Sequence, residues 1–211
     1  MAESIRALVP RKGELTRQAI VERAARVASR VGLAGLTIGE LADELQISKS
    51  GLFAHFGSKE ALQLQVLEFG AQRFVDAVVR PTLAAPRGEP RVRELFERWL
   101  AWPAASGLAG CLFVALATEL DDRGGPARER LVQLERDWLD MIANCFRTGL
   151  SEGHFRGDLD AEQCAHELHG ILLACHHAVR LLRDESALAR TRRAFERLLA
   201  DARAPGAGTG A

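Results

Sequence analysis

Hydrophobic residues recur every three or four positions along most of the chain, a spacing that is typical of amphipathic α-helices. One such face predicts a helix over 14–31 that ends at Gly32, a residue suited to a left-handed helix cap. Further faces predict helices from Lys59 to just before Pro81, over 92–102 and over 108–120. Breaks are predicted at 86–90 and 121–126, with Pro126 placed to open the next helix. The chain shows no strand pattern, so we expect an all-α fold.

A short capped helix is predicted to follow the first one. Thr37 and Glu40 have the spacing of a capping box, and Leu36 and Leu41 flank it as a hydrophobic staple. The helix should therefore begin at Ile38 and present one apolar face about two turns long.

A second short helix is predicted after a tight turn at 46–47. Ser48 is placed to cap it, and Ser58 is placed to cap a third helix that begins at Lys59. Leu52, Phe53 and Phe56 are expected to point inward. The residues expected to face outward are small or basic: Lys49, Ser50, Gly51, Ala54 and His55. Two capped helices separated by a tight turn describe a helix-turn-helix, and the small outward residues would let its backbone approach base edges.

Four sequence features in this region together resemble a known family. They are Thr37, the Leu-Ala-x-x-Leu run at 41–45, the run Ser48-Lys-Ser-Gly-Leu-Phe-x-His-Phe56, and the pair Ser58-Lys59. The combination resembles the N-terminal domain of the TetR/AcrR family of bacterial one-component transcription regulators, over about residues 14–67. The resemblance implies a three-helix DNA-binding head, with a helix-turn-helix, joined to a helical body that binds a ligand and dimerises.

The resemblance also implies how such a chain would act. We expect a homodimer that binds an inverted-repeat operator in double-stranded DNA, with half-sites about 34 to 36 Å apart or at a related spacing. A small-molecule effector would release it from DNA. The role of repressor rather than activator is implied by the resemblance alone.

The predicted DNA contacts depart from the family pattern at one position. Many members carry a tyrosine where this chain has Phe53, and this chain contains no tyrosine. Phe53 would keep the packing but lose a phosphate contact, so phosphate contacts should rest more on the polar and basic neighbours. The complete predicted DNA-binding set is Thr37, Ser48, Lys49, Ser50, Gly51, Phe53, Ala54, His55 and Lys59.

The charge pattern adds little to this picture. The formal net charge is zero, which argues against a chain held on DNA by bulk charge. Arg6, Arg11 and Lys12 precede the first helix, either as an arm along the backbone or minor groove, or as a disordered basic leader. We divide the chain into this leader (1–13), the helix-turn-helix DNA-binding domain (14–60), the ligand-binding and dimerisation body (61–203) and a flexible tail (204–211).

Aromatic residues are concentrated in the body, and all three tryptophans lie there. Such stripes more often form plain core than a ligand site. The family resemblance nevertheless implies a cavity here, which would take a small apolar or aromatic effector. The candidate lining residues are Phe96, Trp99, Trp102, Cys111, Phe113, Trp138, Phe146, His169 and His176.

Two late apolar stripes, over 131–145 and 168–182, have near-heptad spacing. They predict a packing pair of helices, either core or bundle, and the resemblance implies that late helices form the dimer interface. Asp160 and Gln163 have the spacing of another capping box between them.

Four histidines fall in one stripe of the second of these helices, away from its apolar face and roughly 100° wide at about 100° per residue. They are His166, His169, His176 and His177. Three interpretations stay open: a metal site, a pH-sensitive patch at the dimer interface or cavity rim, and an ordinary solvated face.

Several classes of protein are disfavoured. No apolar run reaches the ~18 residues of a membrane helix, and the first residues lack an apolar signal core, so we expect a soluble, cytoplasmic protein without membrane contact. The four cysteines form no Cys-x-x-Cys pair and are expected to be buried thiols. Catalytic and phosphate-loop motifs are missing, so we expect no enzyme and no cofactor, and apart from the open interpretation of the histidines we assign no metal site. The alternative function is a helical small-molecule-binding or thiol-sensing protein without operator binding.

Overall fold

The computed structural model describes residues 12–108 and 110–204. Within them the architecture is helical, with ten α-helices joined by short connections, and this confirms the all-α expectation. The helices are α1 (Lys12–Val31), α2 (Ile38–Glu44), α3 (Lys49–Phe56), α4 (Lys59–Phe74), α5 (Arg80–Ala84), α6 (Glu89–Ala105), α7 (Leu112–Leu120), α8 (Pro126–Ser151), α9 (Ala161–Arg180) and α10 (Ala187–Ala202).

The first three helices form a compact head around a small apolar core. The side-chain oxygen of Thr37 accepts from Glu40 N, that of Ser48 from Gly51 N, and that of Ser58 from Ala61 N. All three predicted N-caps are therefore confirmed, and each satisfies a backbone donor that the helix itself leaves unpaired. The turn between α2 and α3 passes through Gln46, which has φ 53°.

The long helix that leaves the head does not end before Pro81, as the sequence predicts. A π-helical turn over Val75–Val79 follows α4, and α5 then continues through Pro81 to Ala84. Proline cannot donate a backbone hydrogen bond, and in a regular helix its ring clashes with the carbonyl four residues earlier. The wider π-helical turn and the placement of Pro81 in the first turn of α5 accommodate both the missing hydrogen bond and the steric clash.

Three other boundaries in the body differ from the prediction. Pro90 lies in the first turn of α6 rather than in a loop. The first turn of a helix does not need the N–H that proline lacks. Leu108 lies in a connection and α7 begins only at Leu112, because the chain bends through Gly107 and Gly110, both with positive φ. Pro126 opens α8 as predicted, and the Asp160 side chain caps α9 by accepting from Gln163 N.

The last helix, α10, has no counterpart among the elements predicted above. It packs along α9, and Phe195 on it stacks on Phe96 of α6 with ring centroids 3.9 Å apart. Around this stack Arg93 binds both Glu89 and Glu196. The body is thus a bundle in which α8 packs against α4, α6 and α9.

Two predicted segments lie at or beyond the limits of the described residues. The positions of Arg6 and Arg11 in the basic leader and nearly all of the predicted tail fall outside them. Lys12 is already part of α1, which starts two residues earlier than predicted. Across the described residues, no helix is both long and apolar enough to cross a membrane.

Candidate nucleic-acid interface and internal cavity

The outer face of α3 is open to solvent. Ser48, Lys49, Ser50 and Ala54 are exposed, and Gly51 and His55 are half-buried. The buried residues of α3 are Leu52 and Phe56, which join the core of the head. The face therefore combines one lysine, two hydroxyl groups and little side-chain bulk, as expected of a helix that lies in a DNA groove.

Phe53 does not point inward, contrary to the prediction. Its side chain is 52% exposed and lies on the same open side of α3 as Lys49 and Ala54. Leu52 and Phe56 already occupy the inward positions, and one residue further along the helix the side chain is rotated by about 100°. Phe53 therefore does not keep the packing role assigned to it, but it remains in the predicted contact surface.

Two of the other predicted phosphate-binding groups, Thr37 and Lys59, form hydrogen bonds within the head. The Thr37 hydroxyl donates to the Glu40 carboxylate at 2.7 Å while it accepts from Glu40 N. Lys59 Nζ donates to the carbonyl oxygen of Ala34 at 3.0 Å. A contact from either group to a phosphate would replace one of these bonds.

The connection between α1 and α2 is held by side chains from two other helices. Glu119, in the last turn of α7, accepts from the backbone N–H of Leu33 at 2.7 Å and of Ala34 at 2.6 Å. On α4, Gln63 donates to the carbonyl of Leu33 at 3.1 Å, and Lys59 binds the next carbonyl. We call residues 33–34 with these three side chains the head clamp. The sequence contains no local signal for it, since Glu119 lies more than 80 positions from the residues that it binds.

The body contains a cavity of about 650 Å³, a size typical of small-molecule sites. It lies between α4 with its π-helical extension, α5, α6, α7, α8 and α9, and its wall is largely aromatic and aliphatic. The apolar lining residues are Ala71, Phe74, Val75, Val79, Leu83, Trp99, Phe113, Val114, Leu134, Trp138, Met141 and Leu173. The other lining residues are Cys111, Glu135, Asp137, Asp140, Asn144, Arg147 and His169.

Five of the nine residues predicted to line a cavity do so: Trp99, Cys111, Phe113, Trp138 and His169. The other four lie elsewhere. Phe96 is buried in its stack with Phe195, and Phe146 packs against Phe155 in the core. Trp102 is buried behind Phe74, with ring centroids 5.3 Å apart, and His176 faces a separate groove.

Phe74 is the centre of the aromatic wall and was not among the predicted lining residues. Its ring makes edge contacts with Trp102, Phe113 and Trp138, at centroid distances of 5.3, 5.9 and 5.1 Å. It lies at the end of α4, so the helix that begins at the head forms part of the cavity wall. Helical spacing places Phe74 on the inner face, but the sequence gives no sign that a cavity is there.

Glu135 is the second lining residue that the sequence did not single out. Its carboxylate is largely enclosed, and this burial raises the pKa of Glu135. Among the described residues its only ion-pair partner is His169, whose Nε2 lies 3.9 Å from Glu135 Oε2. Burial lowers the pKa of His169, so at neutral pH the imidazole is uncharged and leaves the carboxylate without a counter-charge.

The cysteines do not form a reactive thiol site. All four are buried and unpaired. Burial raises the pKa of Cys111 in the cavity wall, and it raises the pKa of both Cys145 and Cys164 to about 11. Thiols of this kind are protonated at neutral pH and react slowly with oxidants, which argues against the thiol-sensing alternative.

The histidine stripe is divided between different surroundings. His169 lines the cavity, His176 and the more exposed His177 line a groove of about 560 Å³ between α7 and α9, and His166 is exposed. No cluster of three or more histidine, cysteine or acidic side chains in the described part of the chain is arranged to hold a metal ion. The metal interpretation therefore has no geometric support there.

An apolar patch is exposed on α9, on the turn that follows it and at the start of α10. Of the eight large hydrophobic residues exposed in the described structure, five lie here: Leu173, Val179, Leu181, Leu182 and Leu188. Exposed apolar patches of this kind mark interaction surfaces.

Comparison with known proteins gives consistent matches along the chain. The family model "Bacterial regulatory proteins, tetR family" matches residues 20–66, and the model "Tetracyclin repressor-like, C-terminal domain" matches residues 88–195. The chain is 27% identical over 146 residues to the HTH-type transcriptional repressor DhaR of Mycobacterium sp. (strain GP1), covering 68% of this chain and 71% of DhaR.

Solved structures show the same fold. A TetR transcriptional regulator from Chloroflexus aurantiacus has a TM-score of 0.81 and 23% identity, over 90% of this chain and 96% of that one. AibR, solved in complex with isovaleryl coenzyme A and operator DNA, has a TM-score of 0.67 and 20% identity, over 84% of this chain and 96% of its own.

Proposed function

Because the chain belongs to the TetR family of ligand-responsive, DNA-binding transcriptional regulators, we propose that it is a repressor that binds an inverted-repeat operator as a homodimer. In this proposal a small molecule enters the cavity of the body and releases the protein from DNA. The similarity to the repressor DhaR supports the direction of control, and the complex of AibR with a ligand and operator DNA supports the combination of the two sites.

The observation that carries the proposal is that two helices connect the open face of the head with the cavity of the body. The α4 helix begins beside the recognition helix α3, and its other end lines the cavity through Ala71 and Phe74. The α7 helix begins at the cavity with Phe113 and Val114, and it ends at the head clamp with Glu119. A ligand that binds one arrangement of these helices more tightly than another will shift the position of the head.

Dimerisation is supported by the apolar patch on α9 and α10. Leu181 and Leu182 are 69% and 63% exposed, which is unfavourable for side chains of this size in a monomer. On the outer face of α9, Gly170 and Ala174 add little bulk, so a second copy of the helix can approach closely. A two-fold interface on this patch would present two heads to a palindromic site.

The test is selection of binding sites from a random double-stranded DNA library with the full-length protein. We expect an inverted repeat, bound by two chains, with an affinity that falls steeply as salt rises because phosphate contacts release counterions. Failure to enrich any site, with a folded and dimeric protein, would overturn operator binding and favour a ligand-binding protein without DNA recognition.

The proposal includes no catalytic step, since the family consists of regulators. It places the protein in the bacterial cytoplasm, where the chromosome lies. We retain the division at residue 60 between DNA-binding domain and body, with α4 belonging structurally to both.

A further inference from the structure

The charged groups around the cavity are strongly unequal. Three carboxylates line it, from Glu135, Asp137 and Asp140 on α8, against the single guanidinium of Arg147. Arg147 is itself paired with Glu162 on α9 and so supplies little free positive charge to the cavity. The remaining titratable lining groups, His169 and Cys111, are neutral at neutral pH because burial lowers the pKa of the first and raises that of the second.

The position of Glu135 differs from that of the two aspartates. Asp137 and Asp140 are exposed at the mouth, whereas Glu135 is half-buried beside the aromatic wall. An enclosed carboxylate without a cationic partner is costly, and the cost is relieved when a positive charge binds next to it.

Aromatic residues complete the environment. Trp99, Phe113 and Trp138 line the same cavity as Glu135, together with Phe74. The faces of such rings attract organic cations, and the attraction grows when the cation is removed from water. Acidic and aromatic groups in one cavity therefore favour the same class of ligand.

We infer that the effector of this protein is an amphipathic organic cation, with its positive group held near Glu135 and its apolar part against the aromatic wall. This inference rests on the proposed function, because it names the ligand class of the same cavity. It narrows the expectation of an apolar or aromatic effector, since a neutral ligand would leave the enclosed carboxylate unpaired. An anionic ligand would be repelled by all three carboxylates.

Two probe ions of matched shape and opposite charge test the charge requirement. Tetraphenylphosphonium and tetraphenylborate are titrated into the full-length protein in sodium buffer, and binding is followed by calorimetry and by the intrinsic tryptophan fluorescence, to which Trp99 and Trp138 in the cavity wall contribute. We expect the cation to bind at least about tenfold more tightly than the anion, because one charge contact at this degree of enclosure exceeds about 1.4 kcal/mol. Equal affinity, or tighter binding of the anion, would overturn the inference.

If the larger ions do not enter, the smaller pair phenyltrimethylammonium and its neutral isostere tert-butylbenzene makes the same comparison. Selective binding of the cation supports the inference, and equal or absent binding of both members overturns it.

The variant Glu135→Gln assigns the preference to one residue. Glutamine keeps the size of the side chain and removes its charge, so cation affinity should fall at least about tenfold while affinity for the neutral or anionic probe is unchanged or improved. Glu129→Gln on the first turn of the same helix removes the same charge outside the cavity lining, and it should leave both affinities as they are. If Glu135→Gln prefers the cationic probe as strongly as the wild type does, the preference is not due to Glu135.

Operator binding, measured separately on the selected DNA, keeps the two proposals distinguishable. A protein that binds DNA but shows no preference for cations retains the proposed function and loses the inferred ligand class. A protein that prefers cations through Glu135 but binds no DNA retains the inferred ligand class and loses the proposed function.

Discussion

Removal of the Glu119 carboxylate should loosen the head clamp without disturbing the core. Glu119→Ala deletes the acceptor of two backbone hydrogen bonds, from Leu33 N–H and Ala34 N–H. The Glu119 side chain is only 15% exposed, and the bond to Leu33 is partly buried, whereas the bond to Ala34 is open to solvent. Water can therefore replace the second bond more easily than the first.

The structure sets the size of the effect. A hydrogen bond to a charged group contributes about 1.5 to 3 kcal/mol, and the exposed bond contributes less because water competes for it. We expect a loss of about 2 kcal/mol in the local stability of the connection between α1 and α2. That loss corresponds to an increase of about 30-fold in the opening equilibrium of this segment.

Native-state amide hydrogen exchange measures this directly. The amides of Leu33 and Ala34 should exchange about 30-fold faster in Glu119→Ala, while amides in the middle of α8 keep their protection. Arg123→Ala is the matched control, since the largely exposed Arg123 side chain lies 3.7 Å from Glu119 and has no hydrogen bond to residues 33–34 among those that the structure describes. Unchanged exchange in Glu119→Ala, or an equal effect in Arg123→Ala, would refute the role of Glu119 in holding the head.

Four further predictions concern the two sites and the core. Lys59→Ala should weaken binding to all DNA sequences alike and flatten the salt slope by about one unit in a salt titration, and an unchanged slope would exclude a phosphate contact. Gly51→Glu should abolish operator binding while sedimentation still shows a dimer. Gly51→Ala is its control, because its single added carbon lies 3.0 Å from the capping hydroxyl of Ser48. Comparing the two variants separates crowding at this cap from loss of DNA contact. Affinity for tetraphenylphosphonium should fall as pH decreases through the raised pKa of Glu135, since the bound cation needs the ionised carboxylate. Protonation of His169 lowers the affinity further, because it places a positive charge beside Glu135. Glu135→Gln should reduce this pH dependence in calorimetric titrations. Phe96→Ala should lower the free energy of unfolding by about 3 to 5 kcal/mol in urea titrations at fixed protein concentration, because Phe96 lies in the core. It should not change cation affinity, because Phe96 lies outside the cavity. An altered affinity would contradict that placement.

The head was predictable from the sequence because its determinants are local. A cap needs only a hydroxyl or carboxyl side chain and a backbone N–H three residues away, so Thr37, Ser48 and Ser58 fix three helix starts without reference to the rest of the chain. Phe53 shows where local reasoning fails. Its hydrophobicity favours burial, but the helical phase set by Leu52 and Phe56 leaves it exposed.

The cavity was predictable only in part, since it depends on contacts between distant segments. Aromatic content identified Trp99, Phe113 and Trp138, but the same criterion also selected Phe96 and Phe146, which pack against other rings in the core. The packing of six helices decides which of these aromatic residues faces the cavity. No spacing rule within one helix contains that information.

The geometry of the head clamp suggests how a small change in the cavity can move the head. Glu119 on α7 binds the amides of residues 33–34, and Gln63 and Lys59 on α4 bind their carbonyls, all at 2.6 to 3.1 Å. Hydrogen bonds of this length are lost when donor and acceptor move apart by about 1 Å. We propose that a ligand which shifts Phe74 on α4 relative to Phe113 on α7 by that distance, with the shift carried along both helices, breaks one set of bonds and leaves the head to follow the other helix. Because both helices bind the same short connection, a ligand that moves one of them relative to the other would change which arrangement of the head is stable.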